Sequence, residues 1–193
     1  MEISSLSRLI AKFRSLPGVG LKTATRYAYS IIEGSKENAE EFAHAITDAV
    51  NNIHLCQICG NFTELDVCDI CTERDKSIIC VVADPKDINA FEKMGDYKGV
   101  YHCLHGTIDF QKGRGVDDIR IKELMARLTG VREVIIATNA DISGELTASY
   151  LANQIKPLGI KVSRLAYGIS LGSEIEYADE LTLQRALQDR KTL

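Results

Sequence analysis

Apolar positions near the N-terminus recur at helical spacing. Leu6, Leu9, Ile10 and Phe13 share one face of residues 4–15, with Ser4 or Ser5 placed to cap the first turn. Pro17-Gly18-Val19-Gly20 breaks that helix, and a second is expected over 21–32, ended by Gly34. A third, over 36–53, sets Phe42, Ala45, Ile46, Ala49, Val50 and Ile53 on one side. Three helices in 54 residues make a small helical module. The stretch 55–76 differs: it holds four cysteines, few large apolar residues and the turn former Gly60-Asn61, so it buries little core unaided.

From Ser77 the pattern changes again. The apolar run Ile78-Ile79-Cys80-Val81-Val82 predicts a buried parallel strand. A helix over 86–94, a strand over 100–104 and a glycine-rich loop over 106–115 follow. Residues 117–129 read as an amphipathic helix with an acidic first turn, matched to the helix dipole. A strand over 134–137, a helix over 144–156 stopped by Pro157 and Gly159, and a strand over 161–166 complete a small α/β domain with a mainly parallel sheet. A polar tail over 168–193 carries a short helix near 180–188. The expected fold class is therefore α+β and multidomain: a helical module over 1–54, a cysteine motif over 55–76, an α/β domain over 77–168 and a C-terminal segment over 169–193.

Composition adds two constraints. With 45% hydrophobic and 26% charged residues in 193, a real core can form. No apolar run is long enough to span a membrane, and the N-terminus lacks the apolar stretch and cleavage site of a secretion signal. The expected location is the cytoplasm. The formal net charge of −4 hides an asymmetry: residues 1–36 carry six Lys/Arg against two acids, a net of +4, and the remainder is at −8. A basic end on an acidic body suits contact with phosphate, or else a solvated helix face.

The run CQICGNFTELDVCDIC places Cys56 and Cys59, then Cys68 and Cys71, as two C-x2-C pairs separated by eight residues. Two such turns aim four thiolates at one centre, the tetrahedral set that structural zinc prefers. Four thiolates leave no open position, so such a Zn2+ is structural, and it supplies folding energy to a segment poor in core. Cys80 and Cys103 fall in expected strands and read as inert core residues.

Helix, Pro-Gly-Val-Gly, helix is the pattern of a helix-hairpin-helix. Its turn is either a plain connector or an anion site built from the amides of Gly18, Gly20 and the next helix's first turn. Lys22 and Arg26, four apart on one helix face, flank it, and Lys12 and Arg14 close the preceding helix. Such a set reads a phosphate backbone without reading sequence. Acids at the expected strand ends (Asp84, Asp87, Asp109, Asp141 and Glu145) are either helix caps and loop acids or ligands for Mg2+. The four histidines (His44, His54, His102 and His105) suggest no catalytic constellation.

Taken in order, LPGVGLKTATR, the paired C-x2-C motifs, ICVVADPKDINAFEKMGDYKGVYHCLHG, ATNADISGELTASYLA and AYGISLGSEIEYADELTL resemble the RecR family of bacterial recombination mediators over essentially the whole chain. The resemblance implies a helix-hairpin-helix, a structural zinc, a Toprim domain over 77–168 and a C-terminal segment that helps build a ring, by analogy a homotetramer. It implies a non-enzymatic, nucleoid-associated, DNA-binding role in repair. Such proteins act with RecO, and in some settings RecF, to load RecA on gapped DNA coated by single-strand-binding protein. Lys22 and Arg26 match DNA-contacting positions, the four cysteines match zinc ligands, and Glu145, beside Asp141, matches an acid implicated in holding RecO. Catalytic Toprim domains place a glutamate after the first strand and a DxD pair after a later one. Here those positions are Ala83, followed by Asp84, and Asn139 with Asp141, while Ser143 replaces a common glutamate. These changes count against the alternative of a Mg2+-dependent Toprim nuclease or primase, and favour caps over metal ligands at the strand ends.

Overall fold

The computed structural model describes residues 3–166, 168–169 and 171–190. Tyr167, at the end of the expected Toprim stretch, and Ser170 and 191–193, in the expected C-terminal segment, lie outside the described residues, as do Met1 and Glu2. The chain divides into two compact units, Met1–Ile53 and His54–Leu193.

The first unit is three helices: α1 (Ser4–Arg14), α2 (Leu21–Glu33) and α3 (Lys36–Asn52). Helices α1 and α2 approach closely because Ala24 and Ala28, the only buried residues described in this unit, offer little bulk at the contact. Phe13 meets Tyr27 edge to face at 5.7 Å between ring centroids, a geometry that aligns ring edge with ring face. Ser35 caps α3, its hydroxyl accepting from the Asn38 amide at 3.2 Å. The apolar stripe expected on α3 is present but uncovered: Phe42, Ile46 and Val50 are exposed, Val50 at 76%.

The second unit begins with a two-stranded antiparallel hairpin, β1 (His54–Leu55) and β2 (Phe62–Thr63), and a short helix α4 (Asp69–Glu73). A parallel sheet of order β4-β3-β5-β6 follows, made of β3 (Asp75–Val82), β4 (Gly99–Cys103), β5 (Glu133–Ile136) and β6 (Lys161–Arg164). Its crossovers are α5 (Pro85–Met94), a loop ending in α6 (Ile121–Ala126), and α7 (Ile142–Ile155). Central strand β3 is buried on both faces. Ile79 and Val81 join the larger core with Leu124, Leu151 and Ile155, while Cys80 and Val82 join Ile88, Tyr101 and Cys103 on the other side. Burial pushes the Cys80 thiol up to about 12 and Cys103 to about 11, so both are inert core groups. After β6, α8 (Glu180–Gln188) is capped by Asp179, which accepts from the Thr182 amide at 3.0 Å.

One expected helix is different. Residues 117–129 do not run as a single helix: a 3-10 turn over Val116–Asp118 stops at Ile119, whose backbone is extended, and α6 starts only at Ile121. Ile119 and Ile121 are both buried in the same core. Two residues apart cannot share one helix face, whereas around an extended residue both can turn inward. The break is fixed by the Arg120 amide donating to Leu104 O at 3.0 Å and by Arg120 O receiving His102 Nε2 at 2.7 Å.

His102 is fully buried on β4. Burial drives its pKa down to about 3, aided by the cationic Arg127 and Arg120 nearby and resisted by its bond to Arg120 O. The folded state thus holds this ring neutral while the unfolded chain protonates it near pH 6.5. Its contribution is complete above pH 6.5 and is lost as pH falls toward 3. Urea unfolding should show stability falling between pH 7 and pH 4.5 by on the order of 2 kcal/mol from this group, and His102→Gln should flatten that part of the profile.

Candidate nucleic-acid interface and metal centre

The turn between α1 and α2 is built for close approach. The Leu16 amide donates to Phe13 O and the Val19 amide to Leu16 O, both at 3.2 Å, so the chain coils tightly out of α1. Gly18 then adopts φ +77°, a left-handed conformation that costs an L side chain roughly 1–2 kcal/mol. Gly20 is the N-cap of α2 and brings no capping side chain. Among the described residues, the amides of Gly18, Gly20, Leu21, Lys22 and Thr23 find no internal acceptor. Lys12, Arg14, Lys22 and Arg26 are all exposed around this cluster of donors, and the Arg26 guanidinium lies 5.7 Å from the centre of the Tyr27 ring. The turn thus leaves N–H groups and the positive end of a helix dipole exposed, in a segment that also carries these four exposed cations.

The four cysteines come together as their spacing predicts. Cys56, Cys59, Cys68 and Cys71 are buried, with all four Sγ atoms within 4.8 Å of one another and Cys59 and Cys68 Sγ 3.5 Å apart. A tetrahedron with Zn–S bonds of about 2.3 Å has sulfur–sulfur edges of about 3.8 Å, so one zinc ion fits. Backbone amides already serve the sulfurs: Asn61 donates to Cys59 and Cys68 to Cys56, each at 3.4 Å. Burial raises the Cys56 thiol, but amide donors from Cys59, Cys68 and Ile58 outweigh it and bring it down to about 6. Cys68 is pushed up to about 11 by burial and the neighbouring thiols, and its bond to Cys71 together with burial holds Cys59 well above its ordinary value. Four sulfurs this close ionise together only beside a dication. Among the described residues this is the only such group of three or more potential metal ligands.

The motif is seated on the parallel domain through its backbone. Cys103 N donates to Cys59 O and His105 Nε2 pairs with Gly60 O, both at 2.7 Å. Gly60, at φ +74°, sits so near that a Cβ there would meet Arg120 Nε at 3.0 Å and Cys103 O at 3.2 Å. Ile70 of α4 packs against the cysteine cluster and both cores of the sheet.

The acids at the strand ends are engaged as caps. Asp84 and Asp87 form a reciprocal capping box at the start of α5. Asp141 caps α7, accepting from Gly144 N at 2.7 Å and Ser143 Oγ at 2.9 Å, and these bonds hold its carboxyl below the usual range. Asp109 accepts from Lys112 and is lowered likewise. Glu145, one turn into α7, faces two arginines that the sequence did not single out: Arg164 Nη2 at 2.8 Å and Arg185 Nη1 at 3.4 Å from its Oε1. Asp141 and Glu145 therefore point to different partners, although their backbones share a helical turn.

Comparison with known proteins agrees in the same order along the chain. Residues 6–50 match the RecR helix-hairpin-helix, 53–72 the RecR four-cysteine zinc finger domain, 77–166 the Toprim domain and 168–191 the RecR C-terminal family. The chain is 50% identical over 192 residues to recombination protein RecR of Enterococcus faecalis, covering 97% of both chains. It is 49% identical over 192 residues to recombination protein RecR of Clostridium perfringens, covering 98% of this chain and 97% of the relative. No described helix is long and apolar enough to cross a membrane.

The metal centre makes a direct prediction. Elemental analysis should find one zinc ion per chain, and Cys71→Ala should lose it. With the ion gone, the thermal midpoint should fall by about 10 °C or more, because residues 54–73 bury few large apolar side chains and the ion is their main source of folding energy.

Proposed function

Because the chain belongs to the RecR family, we propose that it is a non-catalytic DNA-binding mediator of recombination repair in the cytoplasm, associated with the nucleoid. On this reading it acts with RecO, and with RecF in some settings, to place RecA on gapped DNA covered by single-strand-binding protein. One observation carries the DNA-binding part: five backbone amides at the α1–α2 turn lack acceptors among the described residues, and Lys12, Arg14, Lys22 and Arg26 on the two flanking helices are exposed. Donors and charges of this kind suit phosphate oxygens and carry no base readout.

The remaining parts have separate support. Ala83 and Asn139 stand where catalytic Toprim domains have acids, and Asp87 and Asp141 are engaged at helix starts by the Asp84 and Gly144 amides, so the Toprim domain serves contact and assembly. Glu145 and Asp141 are the RecO-facing acids. The exposed apolar stripe of α3 supports assembly with further copies, a ring of four by family analogy, since Phe42, Ile46 and Val50 find no cover within their own unit. In this division residues 1–54 bind DNA, 55–76 hold zinc, 77–168 meet partners and 169–193 assist assembly. A ring lets individually weak phosphate contacts add.

Fluorescence anisotropy with a labelled gapped oligonucleotide tests the reading. Lys22→Glu with Arg26→Glu should lower affinity by at least about tenfold and flatten the salt dependence by about two counterions, with zinc content and oligomeric state kept. Unchanged affinity at matched salt would remove the hairpin from the DNA interface. Gly20→Ala makes a finer test, because Gly20 has φ −77° and a Cβ there meets nothing within 4 Å. Its stability should be unaltered while DNA binding weakens, the added methyl obstructing a phosphate drawn against the turn.

A further inference from the structure

Glu145 already has occupants. Its Oε1 receives Arg164 Nη2 at 2.8 Å and Arg185 Nη1 at 3.4 Å, from two different elements. Arg164 is a fixture: Nη1 donates to Thr138 Oγ1 at 2.9 Å, and Nη2 to Asn139 O at 3.1 Å and Thr138 O at 3.3 Å, tying the end of β6 to the β5–α7 loop. Arg185 comes from the nine-residue α8, none of whose residues is buried, and its contact with Glu145 is the longer one. Beside them opens a cavity of about 600 Å³, lined by Glu145, Arg164, Leu165, Arg185, Gln188 and Asp189 among others.

We propose that α8 is a resident stand-in for the partner at Glu145: Arg185 fills a subsite for a guanidinium that a cationic segment of RecO takes over, displacing α8. The inference rests on the reading of Glu145 as a RecO contact. Its physical basis is exchange of like for like. Removing Arg185 alone leaves a half-buried carboxylate with one cation fewer, whereas replacing it by another guanidinium restores the same charge-assisted bonds. Arg164 stays in place throughout and keeps the carboxylate aimed. The cost of binding is then the undocking of α8, and weakening that dock raises apparent affinity by raising the competent fraction.

Two measurements on the full chain test this: hydrogen exchange of residues 180–188, and titration with purified RecO of the same organism. Arg185→Ala should speed exchange in α8 and tighten RecO binding about two- to fivefold, the effect of freeing one partly exposed ion pair. Arg185→Lys, which keeps the charge, should restore slow exchange and the original affinity. Glu145→Gln should speed exchange in α8 and weaken RecO binding. Unchanged exchange in Arg185→Ala overturns the latch, and so does RecO binding no tighter than in the parent chain. If Glu145→Gln binds RecO as the parent does, the reading of Glu145 falls and the stand-in with it. If Glu145→Gln loses RecO while Arg185→Ala gains nothing, that reading stands and only the stand-in is lost.

Discussion

Four buried sulfur atoms hold together a segment that has almost nothing else to fold around. Between His54 and Glu73 the larger apolar side chains Leu55, Ile58, Phe62 and Leu65 are exposed, so hydrophobic burial cannot order this stretch. The cysteines can, because two tight turns bring their sulfurs within bonding range of one ion. The ordered turns then present Cys59 O and Gly60 O to the end of β4, where Cys103 N and His105 Nε2 reach them. Ile70 closes the same joint from α4. Metal binding is thus coupled to the parallel sheet through two carbonyls and one side chain. His102, on the same strand β4, stays neutral chiefly because it is buried away from water, with the nearby Arg127 and Arg120 adding repulsion.

Much of this was legible in the sequence wherever a local period or spacing carried the information. The helical spacing of Leu6, Leu9, Ile10 and Phe13 located α1, and the proline and glycines of the turn separated it from α2. The run over 78–82 marked the central strand, and the two C-x2-C pairs marked the metal centre. What escaped lies in pairs distant along the chain. Ile119 and Ile121 look helical among their neighbours, and only the Leu104 and His102 contacts reveal why the helix must break between them. Arg164 and Arg185 carry no motif, yet they decide what Glu145 faces. The cap roles of Asp84 and Asp141 could be read locally, because each stands just before a helix.

At the strand ends the acids are engaged singly rather than converging on one point. Carboxylates bind a metal when several converge with lone pairs to spare. Here Asp141 accepts from both Gly144 N and Ser143 Oγ through Oδ1, Asp87 accepts from the Asp84 amide, and Glu145 turns toward guanidinium groups. Positive charge at this edge is supplied by Arg164, which bonds the backbone of the very loop that carries Asn139. A fixed arginine serves as a structural cation beside the Glu145 carboxylate.

Charge along the chain completes the division of labour. Residues 37–73 hold eight acids and no lysine or arginine, directly after a segment at +4. At physiological salt, repulsion fades within about 8 Å, so this acidic tract acts on nucleic acid only at close range. Close range is where it matters, because a tract of eight acids without a lysine or arginine offers phosphate no point charge to pair with. On the proposed reading the basic turn meets phosphate, and a few such contacts on one hairpin are weak at that ionic strength. If the exposed stripe of α3 is the assembly face proposed above, burying Phe42, Ile46 and Val50 against further copies would remove apolar surface from water and at the same time multiply the hairpins that can engage one DNA. On this reading, the incomplete core of the N-terminal unit and the weakness of its lone DNA contact have the same remedy, so assembly and binding should be lost together when that stripe is made polar.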